Sequence, residues 1–427
     1  MKQTATRTLG LTVNPAAGPT YYVSPSGSDA AAGSAAAPWK TLQASLPKLP
    51  SGSTLVLRAG NYAGFVAGWD SQAASTGDVY GTISGVTFQA DPQAAPGSII
   101  INAPNNKTRV AVDLEPGCNT ITLRGIKVAG SIAPYPNKGS GMKVCGSNCQ
   151  VLDCTIAATI YGFGLMATEA SNLLVQGCSI SGVGNGGNAD YGHGIYVADN
   201  TTGTILRSNT IFNNAYIGIH LNGDLEDSGA PPGLVQNAQI LANLIYGNGQ
   251  NGINGDGVQG ALIANNLIYS FANYGICLYQ SDAGGPSKNN TIVNNTVVSA
   301  LVNAGAALRL LNAATGNTVL NNILLGGDGN AYRIAADSLA GLVSDYNAGS
   351  SKYQSDDTGS AMTWSLDRHS VAALAAQLFV DSAGGNYQLS TTSPALGTGT
   401  ATLAQPTDLL GNPRPVNGRY DIGCYSD

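Results

Sequence analysis

Six times in this chain a glycine followed at once by an aliphatic residue opens the same pattern. The pairs are Gly141-Met142, Gly164-Leu165, Gly194-Ile195, Gly218-Ile219, Gly252-Ile253 and Gly275-Ile276. A second marker accompanies them: Cys154, Cys178, Asn209, Asn243, Asn266, Asn295 and Asn322, each set in a phrase such as Val151-Leu-Asp-Cys-Thr-Ile. Successive markers lie 24, 31, 34, 23, 29 and 27 residues apart. Regular units with variable insertions are the signature of a solenoid, in which a unit buries its apolar face only against its neighbours. Each unit holds runs of three to five alternating apolar residues between Gly, Asn or Asp turns, with no helical pattern. That predicts a parallel β-helix, and a leucine-rich repeat would need a leucine consensus that is absent. The marker asparagines are expected to stack inward and hydrogen-bond along the axis as a structural ladder.

The composition agrees. The chain has 56 glycines in 427 residues, close to twice the average of about 7%. Charged residues make up 10% and hydrophobic residues 43%, which excludes a disordered chain. The net charge is −6, and no cluster of Lys and Arg supports nucleic-acid binding. No apolar run approaches the ~20 residues of a membrane span. No signal peptide is visible in the first 20 residues, which lack a hydrophobic segment.

Four regions are expected: a flexible leader at 1–19, a cap with the first coils at 20–107, regular coils at 108–349 and a tail at 350–427. In the cap, Tyr21 to Val23 and Thr54 to Arg58 read as strands and Trp39 to Pro47 as a short helix. In the tail, Ser365 to Leu378 reads as one helix. Seven cysteines do not specify a disulfide framework. Cys154 and Cys178 share a repeat position, as Cys118 and Cys149 nearly do. Each pair is either a disulfide or a stack of buried thiols. Zinc has no support, because Cys145 and Cys149 lack a matching His pair.

The chain's two ends carry a resemblance. Tyr21-Tyr-Val-Ser-Pro-Ser-Gly-Ser-Asp, then Ala37-Pro-Trp-Lys-Thr-Leu and Gly60-Asn-Tyr, resemble the start of secreted right-handed parallel β-helix proteins of the polysaccharide lyase type. Ser393-Pro-Ala-Leu, Asp408-Leu-Leu-Gly-Asn-Pro-Arg-Pro and Tyr420-Asp-Ile-Gly-Cys-Tyr fit the end of the same group. The resemblance implies an all-β, single-stranded right-handed parallel β-helix with an N-terminal cap and an irregular C-terminal tail. It also implies a secreted or periplasmic enzyme acting on an acidic polysaccharide. The matching motifs are caps and turns, and they leave the reaction open. The Asp-Pro-His signature of alginate epimerases is absent, as is the Asp-Asp cluster beside a lysine of calcium-dependent pectate lyases.

Strand alternation turns the repeat into a grid. If the aliphatic markers point inward, the residues after them form an outward column: Lys143, Met166, Tyr196, His220, Asn254, Cys277 and Arg309. Two positions on lies a second: Cys145, Thr168, Ala198, Asn222, Asp256, Tyr279 and Leu311. Tyr196, His220 and Asn254 are expected on successive rungs, flanked by Asn222, Asp256 and Tyr279. β-Elimination from a uronic-acid polymer needs a base, an acid and a group that neutralises the carboxylate. The expected catalytic residues are Tyr196, His220 and Asp256. The expected substrate contacts are Asn222, Asn254, Tyr279, Lys143 and Arg309. The same groups would serve a C5-epimerase. Asp256 with Asp224 or Asp199 would serve a hydrolase. A glycan-binding or purely structural β-helix is the non-enzymatic alternative. His193 and Cys277 are weaker candidates. No cofactor is certain, and calcium is a candidate at Asp224, Glu226 and Asp227, which lie within four residues of one loop. A monomer is expected.

Overall fold

The computed structural model describes residues 18–68, 81–103, 110–132, 140–160, 162–184, 191–225, 231–299, 304–327, 329–363 and 365–426. The chain divides into two compact units, one of residues 12–205 with 209–216, the other chiefly of residues 217–427 with 206–208. The leader expected at 1–19 falls almost wholly outside the described residues.

Each unit is a parallel β-helix with three sheet faces. In the first unit, one face holds Thr20–Val23, Thr54–Leu57, Thr87–Ala90, Thr122–Arg124, Gln150–Leu152 and Leu174–Gln176. A second holds Phe65–Ala67, Val112–Leu114, Ser140–Val144, Phe163–Thr168 and Ile195–Ala198. The third holds Gly60–Ala63, Ile99–Ala103, Lys127–Ile132, Thr155–Ile160, Ser179–Ser181 and Thr210–Phe212. The cap carries the short helix Leu42–Ser45, its start closed by the Thr41 hydroxyl accepting from the Ala44 N–H. Trp39 stacks on Tyr21 with centroids 5.0 Å apart, and its indole N–H donates to the Ala31 carbonyl at 2.9 Å.

The second unit repeats the plan. Its first face runs through Gln239–Leu241, Leu262–Ala264, Thr291–Val293, Thr318–Leu320 and Val343–Asp345. Its second runs through Ile219–Asn222, Ile253–Asp256, Ile276–Tyr279, Leu308–Leu310, Asn330–Ile334 and Lys352–Ser355. Its third runs from Leu244–Tyr246 through Leu267–Tyr269, Thr296–Val298, Ile323–Leu325 and Ala348–Gly349 to Val371–Ala372.

Both repeat markers have a physical cause. A Cβ on Gly252 would stand 2.7 Å from the Gly275 carbonyl oxygen and 2.4 Å from Ile268 Cγ2, so the next coil leaves room only for hydrogen. The asparagine phrase works in two steps. Asn265, Asn294 and Asn321 take left-handed backbone (φ 57°, 54° and 56°) and turn the corner. The asparagine that follows each points inward. Asn243, Asn266, Asn295, Asn322 and Asn347 form the expected ladder, each carboxamide oxygen accepting the preceding member's backbone N–H at 2.9–3.0 Å. Their amide nitrogens donate to main-chain carbonyls of the coil before, as Asn295 does to Ile263 at 2.8 Å. Asn290 and Asn317 form a second short ladder.

The helix expected over Ser365 to Leu378 is corrected. Only Ala375–Leu378 is helical, and Val371–Ala372 extends the third sheet instead. Asp367 has φ 56°, and the Val371 N–H donates to the Asn347 carbonyl at 2.7 Å, so an open sheet edge recruits this segment. All seven cysteines are free and buried, which selects stacked thiols over disulfides. The tail packs Leu378, Phe379, Tyr387, Leu389, Ile422 and Tyr425 against Leu267, Val298 and Ile323. Buried Arg414 pins it, donating to Asn265 Oδ1 at 2.8 Å and to the Gly423 carbonyl at 2.7 Å.

Candidate active site

Within the second unit the predicted grid is present. His220 is in register with Asn254, Asn254 with Cys277, and Cys277 with Arg309. Asn222 pairs with Asp256, and Asp256 with Tyr279. Gly255 lets this strand lie close: a Cβ there would meet Leu278 Cδ2 at 2.7 Å. Asp256 is therefore a strand residue with its carboxylate on the outer face, although loops cover it to 1% exposure.

The covering segment supplies a residue the sequence did not flag. After Ile276–Tyr279 the chain folds back, and Asp224 forms an antiparallel bridge with Ala283. Asp256 Oδ1 accepts the Ser281 N–H at 2.8 Å and Oδ2 accepts the Asp282 N–H at 3.2 Å. The Asp282 side chain also shares a hydrogen bond with the Asp256 carboxyl. Burial, above all, and this second carboxyl push Asp256 up to about 7. Asp282 is held low by the Asp256 hydrogen bond, an Asn222 hydrogen bond and the nearby His220 ring. Below about pH 7 the shared proton therefore stays on the buried member. Asp282 is exposed and ionised. Burial lowers the His220 imidazole to about 4 against the opposing pull of Asp282, so it is neutral too. Both its ring nitrogens lie beneath the water-accessible surface.

Asn254 and Tyr279 belong to a connected chain. Asn251 Nδ2 donates to Asn254 Oδ1 at 2.8 Å, and Asn254 Nδ2 donates to the Tyr279 hydroxyl at 2.7 Å. Burial and the Asp256 charge hold this half-buried phenol well above its ordinary range. Cys277 is buried, and its thiol is pushed up to about 12.

The two expected cations are both engaged. Arg309 binds Asp356 with two hydrogen bonds, Nε at 2.8 Å and Nη2 at 2.9 Å, and lies 4.7 Å from the Tyr274 ring centroid. Arg333 Nε also lies 2.8 Å from Asp356. In the first unit Lys143 Nζ donates to both oxygens of Glu115 at 2.8 and 3.0 Å. Arg309→Met is accordingly expected to lower the unfolding midpoint while changing KM for a glycan substrate less than about 2-fold, since its guanidinium already has a carboxylate. A KM rise of tenfold at unchanged stability would contradict this.

The first unit holds Tyr196 and His193. Tyr196 is in register with Met166, and its ring stacks 4.3 Å from Phe163. His193 lies flat beside the same ring at 5.4 Å. Asp199 is also in this unit, where it accepts a hydrogen bond from the Thr168 hydroxyl. Asp224 is buried; Glu226 and Asp227, the other members of the calcium set, lie outside the described residues. Among the described residues no group of three or more His, Cys, Asp or Glu is placed to hold a metal ion.

Asp282, Asn251, Asp356 and Tyr274 escaped the sequence reading. Asn251 directly precedes a Gly-Ile marker, and that position was a signal available in the repeat.

The sequence model described as "right handed beta helix region" matches residues 82–224 and 187–340. No curated protein matches the chain in sequence. Among solved structures, a pectate lyase, Pel9A, is similar over 97% of both chains, with a TM-score of 0.59 and 15% identity. A rhamnogalacturonan lyase matches over 95% of this chain and all of its own, with a TM-score of 0.57 and 14% identity. XylC, in complex with xylose, matches over 95% of this chain and 98% of its own, with a TM-score of 0.54 and 10% identity. At these identities the likeness is one of fold. No helix is long and apolar enough to cross a membrane among the described residues.

Proposed function

We propose that this chain, which belongs to the right-handed β-helix family, cleaves a uronic-acid-containing polysaccharide by β-elimination on the outer face of its second unit. One observation carries the reading: two neighbouring carboxyls, Asp282 exposed to substrate and Asp256 buried behind it, where it accepts the Ser281 and Asp282 N–H groups. Ionised Asp282 takes the proton α to the uronate carboxylate. The electron pair forms a C=C bond as the glycosidic C–O bond breaks. The pair, now carrying two protons, returns one to the leaving oxygen and regains its starting state. His220, neutral beside Asp282, leaves that carboxylate free to act as a base. Asn222 and Asp256 orient it through hydrogen bonds.

The same geometry counts against two-carboxyl hydrolysis by this pair. That chemistry needs carboxyls about 5–9.5 Å apart, to flank a glycosidic bond or admit a water. Asp256 and Asp282 are in hydrogen-bond contact. Likeness of fold to a pectate lyase and a rhamnogalacturonan lyase supports a glycan substrate. An extracellular or periplasmic setting suits such a polymer.

The test is incubation with polygalacturonate, alginate and rhamnogalacturonan while following the ultraviolet absorbance of the new C=C bond. Growth of that band with matching chain shortening is the expected result. Reducing ends released without the band would assign hydrolysis instead. Binding with no product of any kind would leave a glycan-binding β-helix.

A further inference from the structure

We infer that Tyr279 is the hydrogen-bond donor that receives the substrate's carboxylate, and that Asn251 and Asn254 set the direction of its proton. The inference rests on the elimination reading and supplies the group which that reading lacks. Arg309 and Lys143 are held by Asp356 and Glu115, and Asn222 is bound to Asp282.

The argument starts from a backbone N–H, which can only donate. The Tyr274 N–H donates to Asn251 Oδ1 at 3.0 Å, so the Asn251 amide has its oxygen on that side. Its nitrogen therefore faces Asn254 and donates to Oδ1 at 2.8 Å. That fixes Asn254 in turn, whose nitrogen faces Tyr279 and donates to the hydroxyl at 2.7 Å. A phenol that accepts on that side must direct its own proton elsewhere.

Both asparagines are buried, at 5% and 4% exposure, so water does not compete for the relay. Tyr279 is half-buried and in register with Asp256. That register places it beside the pair. Removing the α proton drives negative charge onto the substrate carboxylate. A donor whose direction is set before reaction stabilises that charge without reorganising. Asn251 and Asn254 are positioning residues; Tyr279 touches substrate.

Two variants test this. Tyr279→Phe keeps the ring and deletes the donor. Asn251→Asp still accepts from Tyr274 but gives Asn254 no donor, so the Asn254 amide turns over and its oxygen takes the Tyr279 proton. The phenol is then present but withdrawn. Each variant is expected to lower kcat on polygalacturonate about 10²-fold, within the range for loss of one such donor. Adding Asn251→Asp to Tyr279→Phe should cost less than about 2-fold more, because both changes remove one interaction.

Calorimetric binding of oligogalacturonate to the Asp282→Ala protein reads the relay without turnover. Affinity should drop about tenfold with Tyr279→Phe, and methyl-esterified oligogalacturonate should show no such drop. If the wild type makes no unsaturated product but the binding difference persists, the elimination reading falls and the relay stands. If product forms while Asn251→Asp, folded, matches wild type, or while Tyr279→Phe leaves acidic and esterified binding alike, the relay is overturned. Tyr279→Phe stays readable should the buried charge of Asn251→Asp weaken the fold.

Discussion

Asp282→Ala is expected to lower kcat by about 10²–10⁴-fold, the usual range for loss of a positioned acid–base group, without loss of fold. The side chain is exposed, and its removal leaves Asp256 bonded to the backbone N–H groups of residues 281 and 282. Asp256→Asn makes a sharper statement. Asn cannot titrate; with its oxygen on the Ser281 N–H it offers a donor to the Asp282 carboxylate and gives up the bond from the Asp282 N–H. Wild-type kcat/KM should rise from about pH 4, where His220 loses its charge, and fall above about 7, where the pair gains a second negative charge facing an acidic polymer. In Asp256→Asn the falling limb should vanish. A falling limb that persists unchanged would remove Asp256 from the mechanism.

The same groups give stability a pH signature. The native protein binds a proton at Asp256 that the unfolded chain has released between about 3.8 and 7, so this contribution to stability falls as pH rises through that window. His220 has the opposite sign. The unfolded chain protonates it below about 6.5, the native protein only below about 4, so its contribution falls as pH drops through that interval. Urea midpoints of Asp256→Asn and His220→Gln against wild type, across pH 4 to 8, separate the two slopes.

Asn295→Ala is expected to destabilise the second unit by about 3–5 kcal/mol, a large effect for one polar side chain. Its Oδ1 accepts both the backbone N–H and the side-chain N–H of Asn266 at 3.0 and 2.9 Å. Its Nδ2 donates to the Ile263 carbonyl at 2.8 Å and to Asn322 Oδ1 at 2.9 Å. Asn295 is 0% exposed, so truncation strands a main-chain N–H and a carbonyl where water does not reach. Each buried unsatisfied group costs about 1–3 kcal/mol. Urea unfolding followed by circular dichroism measures the loss, and a change below 1 kcal/mol would mean that the ladder is incidental to stability.

Much of the fold was legible because a β-helix writes its period into the chain. Gly252 and Gly275 recur where successive coils touch, and Asn-Asn phrases such as Asn294-Asn295 recur where each coil turns and then bonds to the next. Once the period was known, strand alternation put Asp256 beside Asn222 and Tyr279 by counting alone. The segment from Ser365 to Leu378 misled because its alanines and leucines favour helix locally, while the open edge at Ala348–Gly349 offered hydrogen bonds that local preference does not register.

What lay off the period was not legible. Asp282 reaches Asp256 because the residues after Tyr279 fold back, and no repeat governs that loop. Asp356 neutralises Arg309 from another strand's end. The amide directions of Asn251 and Asn254 follow from one backbone N–H at Tyr274. By itself the sequence determined the coil, the ladder and which side chains share a face, since those depend on spacing along the chain. The tertiary structure alone decided which of those side chains already had partners and which carboxyl is buried, because burial and hydrogen-bond direction arise only when non-repeating loops close over the sheet.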